Sequence, residues 1–224
     1  MCSARDCLVS RSRSLLAELI DDEEYTDVTF MVGAEGKYEE LRAHKCVVCK
    51  LSDVFRVMFK PNTMHEAMSN EVTIRDSDPT QFRVFLKFLY LQDLSFQELL
   101  DHGKAVLQWV YQYQLSTRDQ FVGLLLQPDP RPELADRTLF SFMTEFDDAL
   151  SIGRTIELLY SNDEADPALR KLRQAFHDHV ILTMRRSSSA FELLQDPRRE
   201  QLRRAVMYRL LESTPGGAPP RESD

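Results

Sequence analysis

The tightest constraint on this chain is the stretch Ala43–Phe59, where a strand-like pattern runs into a helix-like one with almost no loop between them. Val47, Leu51, Val54, Phe55 and Met58 recur at steps of four, three, one and three. That spacing draws one apolar stripe and predicts a single helix of about four turns with one buried face. The strand before it rests on Leu41 and Ala43, which share a face between Lys37 and His44, so it needs neighbours in order to form.

Those neighbours are present. Val28, Phe30 and Val32 alternate within Asp27–Val32, Gly33-Ala34-Glu35-Gly36 supplies turn residues, and Lys37–His44 returns as the second arm of a hairpin. Glu71–Arg75 alternates as a short third strand. Asp78-Pro79 then opens a helix, the Asp as cap and the Pro presetting φ, with Phe82, Phe85, Leu86, Leu89 and Tyr90 as its buried face. Phe96 to Val110 continues at helical spacing, and Thr117 with Gln120 reads as a capping box for a short helix through Leu126.

Pro128, Pro130 and Pro132 cannot sit inside a helix and mark the main boundary. Beyond it nothing alternates at period two. Asp166-Pro167 and Asp196-Pro197 repeat the cap-plus-proline start, opening stripes at Leu169, Leu172, Phe176 and Val180 and at Leu202, Ala205, Val206 and Leu210. The expected organisation is a flexible N-terminus over 1–13, an α+β domain over 14–127, an all-α segment over 133–212, and a disordered Pro/Gly tail over 213–224.

One short helix stands apart at the front. Leu15, Leu16, Leu19 and Ile20 follow the N-cap candidate Ser14 and stop at Asp21-Asp22-Glu23-Glu24. So short a helix does not hold alone in water, and each of its aliphatic side chains gains about 1.5–3 kcal/mol on burial, so it must dock on something.

The balance of charges narrows the function classes. A net charge of -8 excludes a simple basic surface for nucleic acid. No apolar run reaches the roughly 20 residues that span a bilayer, and Met1–Cys7 lacks the apolar core of a signal peptide, so a cytoplasmic or nuclear location is expected. The four cysteines then read as reduced thiols. Cys46 and Cys49, at a strand-to-helix junction, leave open a thiol oxidoreductase as the least favoured reading, because a helix N-terminus lowers thiol pKa. A metal site from Cys2, Cys7, His44, Cys46 and Cys49 lacks two ligand pairs at defined spacing, and His177 and His179 stand two apart, on different sides of a helix. Arg185-Arg186-Ser187-Ser188-Ser189 reads as a solvated helix end. With no nucleophile elbow, phosphate-cradling Gly loop or His-Glu zinc helix in the chain, no catalytic residue, cofactor or metal is expected.

Five separated segments, in order, resemble a BTB/POZ domain: Asp27-Val28-Thr29-Phe30, Leu41 to Val48, Phe55 to Phe59, Val72-Thr73-Ile74 and Phe82 to Tyr90. The resemblance covers roughly Ser14 to Leu126, and the helices after it are similar in placement to the BACK-type segment that often follows. It departs at Asp53, where the family usually has proline, and at Leu89-Tyr90-Leu91-Gln92, which lacks a Thr-Gly. The resemblance implies a small three-stranded sheet flanked by helices, and an adaptor for other proteins. It also implies that Leu15, Leu16, Leu19 and Ile20 pack on a partner subunit in a homodimer, with Asp27 and Lys45 as a charged pair near the dimer groove. Met64-His65-Glu66 falls where family members that recruit a cullin-3 ubiquitin-ligase scaffold carry an apolar-any-Glu triplet. The competing adaptor reading is a scaffold for transcriptional or cytoskeletal partners without a cullin, and in either case the protein substrate is unidentified.

Overall fold

The computed structural model describes residues 15–20, 22–61, 65–128, 159 and 166–184. Two compact units divide the chain, 1–124 and 125–224. In the first, β1 (Val28–Ala34) is the central strand of three, antiparallel to β2 (Lys37–Ala43) and parallel to β3 (Glu71–Arg75). Helix α1 (15–20) precedes the sheet; α2 (Lys45–Leu51), α3 (Asp53–Met58) and α4 (His65–Ser69) form the crossover from β2 to β3. Then come α5 (Pro79–Leu91), α6 (Phe96–Gln112) and α7 (Arg118–Leu125). The hairpin turn is Glu35-Gly36 alone, so β1 runs two residues further than the alternation of Asp27–Val32 indicated.

The core is an aromatic chain hung on the central strand. Phe30 of β1 lies 5.4 Å from Phe55 and 5.3 Å from Phe82, ring centre to ring centre. Phe82 continues to Phe85 at 5.3 Å and to Trp109 of α6 at 5.2 Å, and Phe55 stacks on Tyr113 at 4.5 Å. Such tilted and edge contacts add about 0.5–1.5 kcal/mol per pair to the area term. Burial pushes the Tyr113 phenol up to about 12, which keeps the ring neutral inside this cluster.

The single helix expected over Val47–Met58 is two. Ser52 takes extended φ/ψ (-119°, 122°) and divides α2 from α3. Its N–H still donates to the Val48 carbonyl at 3.0 Å, closing α2, while its Oγ accepts the Phe55 N–H at 3.0 Å, opening α3. The same hydroxyl donates to the Tyr113 carbonyl at 2.6 Å, and Ser52 pairs as an isolated bridge with Leu115. A long-range strand-like contact thus replaces one turn of helix, and the break lets Phe55 enter the aromatic chain.

The capping box also lies elsewhere than Thr117–Gln120. The Thr117 hydroxyl is buried without a hydrogen-bond partner, and the Gln120 amide donates to the Gln92 carbonyl at 2.7 Å. The reciprocal pair is Ser95 with Glu98: Oγ accepts the Glu98 N–H at 3.3 Å and the Glu98 carboxylate accepts the Ser95 N–H at 2.9 Å. Asp78 caps α5 as expected, accepting from Thr80 and Gln81 N–H groups.

In the second unit, Asp166 caps α8 (Pro167–Met184), accepting the Ala168 N–H at 2.9 Å, and Leu169, Leu172 and Phe176 are buried. His177 and His179 on the same helix are buried as well. The stripe from Leu202 to Leu210 and the segments 1–13, 133–158 and 213–224 lie outside the described residues.

Candidate interaction surface

Helix α1 presents its aliphatic stripe incompletely to its own domain. Leu15 is 56% exposed, while Leu16, Leu19 and Ile20 are half-buried. Two open clefts border the same helix at Ala17 and Ile20. One of about 250 Å³ lies between Ile20, Leu41, Leu86 and Tyr90, and another of about 330 Å³ between Ala17, Ile20, Val84 and Leu91. Arg83 borders both. Van der Waals contacts fall away steeply with separation, so a helix flanked by voids of this size gains only part of what burial offers.

The rim of these clefts is charged, and two of its basic residues are paired. Arg83 pairs with Glu39, and Lys87 Nζ donates to Glu98 Oε1 at 2.6 Å. Burial alone would raise the Glu98 carboxyl, but the hydrogen bonds from Lys87 and Ser95 outweigh it and hold the group below its ordinary value.

Asp27 and Lys45 meet, though not as an ion pair between side chains. The exposed Asp27 carboxylate accepts the main-chain N–H of Lys45 at 2.6 Å, satisfying one orphan donor of α2. The half-buried Lys45 ammonium turns instead to the Asn70 side-chain oxygen and lies 5.0 Å from the Phe59 ring centre. Asn70 stands at φ 60°, ending α4 and leading into β3, so the lysine ties the end of α3 to the start of that strand.

Of the triplet, Met64 lies outside the described residues and only the main chain of His65 is described. Glu66 is half-buried in the first turn of α4, where its carbonyl accepts the Asn70 N–H at 2.9 Å. The exposed apolar side chains here are Met68 of α4, at 82%, and Val57 of α3. Sequence reasoning missed Met68, although a second methionine four positions after Met64 was a readable signal.

The thiols are poorly arranged for redox catalysis. Burial pushes the Cys49 thiol up, with Asp27 and Cys46 adding to the rise and Lys45 opposing it. Its sulfur lies 3.7 Å from the Phe55 carbonyl. His44 is engaged with Tyr90: its N–H donates to the phenolic oxygen at 2.9 Å and Nδ1 lies 2.7 Å from it. Burial raises the Tyr90 phenol, against the lowering effect of that His44 N–H. Among the described residues no group of three or more His, Cys, Asp or Glu side chains could hold a metal. No helix among them is long and apolar enough to cross a membrane.

Comparison with known proteins adds to this geometry. The BTB/POZ domain family model matches residues 16–125. A mouse TD and POZ domain-containing protein 5 is 36% identical over 75 residues, covering 34% of this chain and 21% of that protein. The Caenorhabditis elegans BTB and MATH domain-containing protein 42 is 27% identical over 122 residues, covering 54% of this chain and 29% of its own. This chain therefore spans less than a third of the length of those curated relatives. The solved BTB domain of zebrafish PATZ1 is 19% identical with a TM-score of 0.36, over 51% of this chain and 86% of that one.

Proposed function

Residues 16–125 are a BTB/POZ domain, a protein-interaction fold whose members commonly dimerise, and on that premise we propose that this chain is a homodimeric adaptor that recruits a cullin-3 type scaffold. The observation that carries the dimer is α1: a helix too short to stand alone, with Leu15 exposed and clefts on its inner side. A twin subunit supplies the apolar surface that the stripe lacks. Leu15, Leu16, Leu19 and Ile20 form that contact, with Asp27 and Lys45 at its edge.

Sedimentation velocity at micromolar concentration is expected to give a species of twice the 26.0 kDa chain mass. Leu16→Glu with Leu19→Glu returns it to a single chain, because two carboxylates entering an apolar contact cost several kcal/mol. A wild-type chain that sediments only at 26.0 kDa sinks the dimer.

Recruitment of the scaffold is assigned to Met64, His65 and Glu66, the methionine as a flexible apolar plug and the glutamate as a hydrogen-bond acceptor. Such an adaptor performs no chemistry; it raises the rate of ubiquitin transfer by holding a protein substrate near the ligase. The BACK-like helices extend the surface offered to that substrate. Met64→Ala with Glu66→Ala is expected to weaken binding of the purified cullin-3 N-terminal region at least about tenfold, about 1.4 kcal/mol. Unchanged affinity removes this mechanism.

A second reading keeps the adaptor and drops the cullin. Its support is the 82% exposure of Met68, which offers a flexible apolar contact outside the triplet to a partner other than a cullin. A cullin-3 pull-down that fails with wild-type protein selects it.

A further inference from the structure

Cys46 is exposed on α2, which packing does not explain, since free cysteine is among the most buried residue types. Cys49 follows three positions later, part-buried and also free. Residues three apart on a helix are surface neighbours with Cβ atoms about 5–6 Å apart. Burial pushes the Cys49 thiol up, Lys45 opposes it, and Asp27 and Cys46 add smaller upward contributions.

That spacing discriminates between chemistries. A disulfide needs Cβ atoms about 3.5–4.5 Å apart, so closing one across a helical turn would distort α2. Zinc wants four ligands in a structural site, and no cluster of even three potential ligands occurs among the described residues. A single soft atom making two bonds to sulfur spans the remaining gap.

We propose that Cys46 and Cys49 form a dithiol site that captures monosubstituted trivalent arsenicals. With phenylarsine oxide as the probe, the arsenic–oxygen bonds break and two arsenic–sulfur bonds form. The two thiol protons leave with the oxygen as one water, and no element changes oxidation state. Cys46 reacts first because it faces solvent. Cys49 then closes the ring, releasing its weak contact with the Phe55 carbonyl 3.7 Å away. The second bond is intramolecular, so its effective concentration raises affinity about 10²- to 10⁴-fold over a single thiol.

The test uses the full chain with Cys2→Ser and Cys7→Ser, leaving Cys46 and Cys49 as its thiols. Titration with phenylarsine oxide is expected to give one adduct per chain by intact mass, with both thiols lost to a colorimetric thiol reagent. Adding Cys46→Ser, or separately Cys49→Ser, weakens capture at least about 100-fold. Cys49→Ala serves as a second variant at the part-buried position, and the fluorescence of Trp109 reports that each protein is folded. Affinity retained within about threefold in the single-thiol proteins, or two adducts per chain, overturns the proposal.

Discussion

Replacing Phe82 by alanine lowers the thermal midpoint of the BTB/POZ unit by roughly 10 °C or more. Phe82 is fully buried and touches Phe30, Phe85 and Trp109, which joins the central strand to both long helices. Removing a ring from such a site costs about 3–5 kcal/mol in transfer and cavity terms, a large part of the about 5–15 kcal/mol that holds a domain together. The cavity cannot collapse readily, because its walls are other rings fixed to separate elements. Trp109 is the chain's one tryptophan, so its fluorescence follows this unit without interference from the second. A midpoint within about 3 °C of wild type would show that the aromatic chain is not the keystone described above.

Gly33→Ala is the second large expected effect, and its cause is the backbone. Gly33 stands at φ 146° in the last pairs of β1 with both neighbours, and its carbonyl accepts the Asp76 N–H at 2.9 Å. A Cβ there would press into the Lys37 carbonyl oxygen, which belongs to the paired strand and cannot swing aside. Strain of that conformation alone is on the order of 1–3 kcal/mol, and the clash adds to it. Chemical denaturation is expected to show at least about 3 kcal/mol lost, with the midpoint moving and the slope unchanged. Stability equal to wild type would mean that the hairpin end can rearrange freely.

Much of this was legible in the chain because the signals were local. Val28, Phe30 and Val32 alternate and are buried; Val72 and Ile74 do the same in β3; Asp78-Pro79 opens α5 with the hydrogen bonds that pair predicts. The break at Ser52 was not legible. Apolar periodicity runs unbroken from Val47 to Met58, and what interrupts the helix is a partner beyond α6, invisible to any short window. The capping box shows the same limit: the expected one was Thr117–Gln120 alone, although Ser95–Glu98 carries an equivalent pattern, and tertiary neighbours decide between them. Lys87 of α5 holds Glu98 in place, whereas the Gln92 carbonyl draws Gln120 away. At the interaction surface, the spacing of Leu15, Leu16, Leu19 and Ile20 announced a helix in need of a dock. The exposure of Met68 depends on how α4 sits, which composition does not encode.

Ser52 also bears on how long the folded molecule lasts. Its hydroxyl reaches a carbonyl 61 residues away, and the Ser116 N–H donates to the Leu51 carbonyl at 2.9 Å beside it, so the pair latches the crossover to the end of α6. Closing a loop of that length carries an entropic cost, so the latch is expected to form after the hairpin and α5 have gathered. A contact absent from the transition state governs escape rather than arrival. Ser52→Ala is therefore expected to speed unfolding about tenfold in stopped-flow chevrons, for a loss of about 1–3 kcal/mol, while the refolding arm stays nearly superimposable. A slowed refolding arm would place the latch early instead. Held late, the latch sets stability through residence time in the folded state and leaves the rate of folding alone.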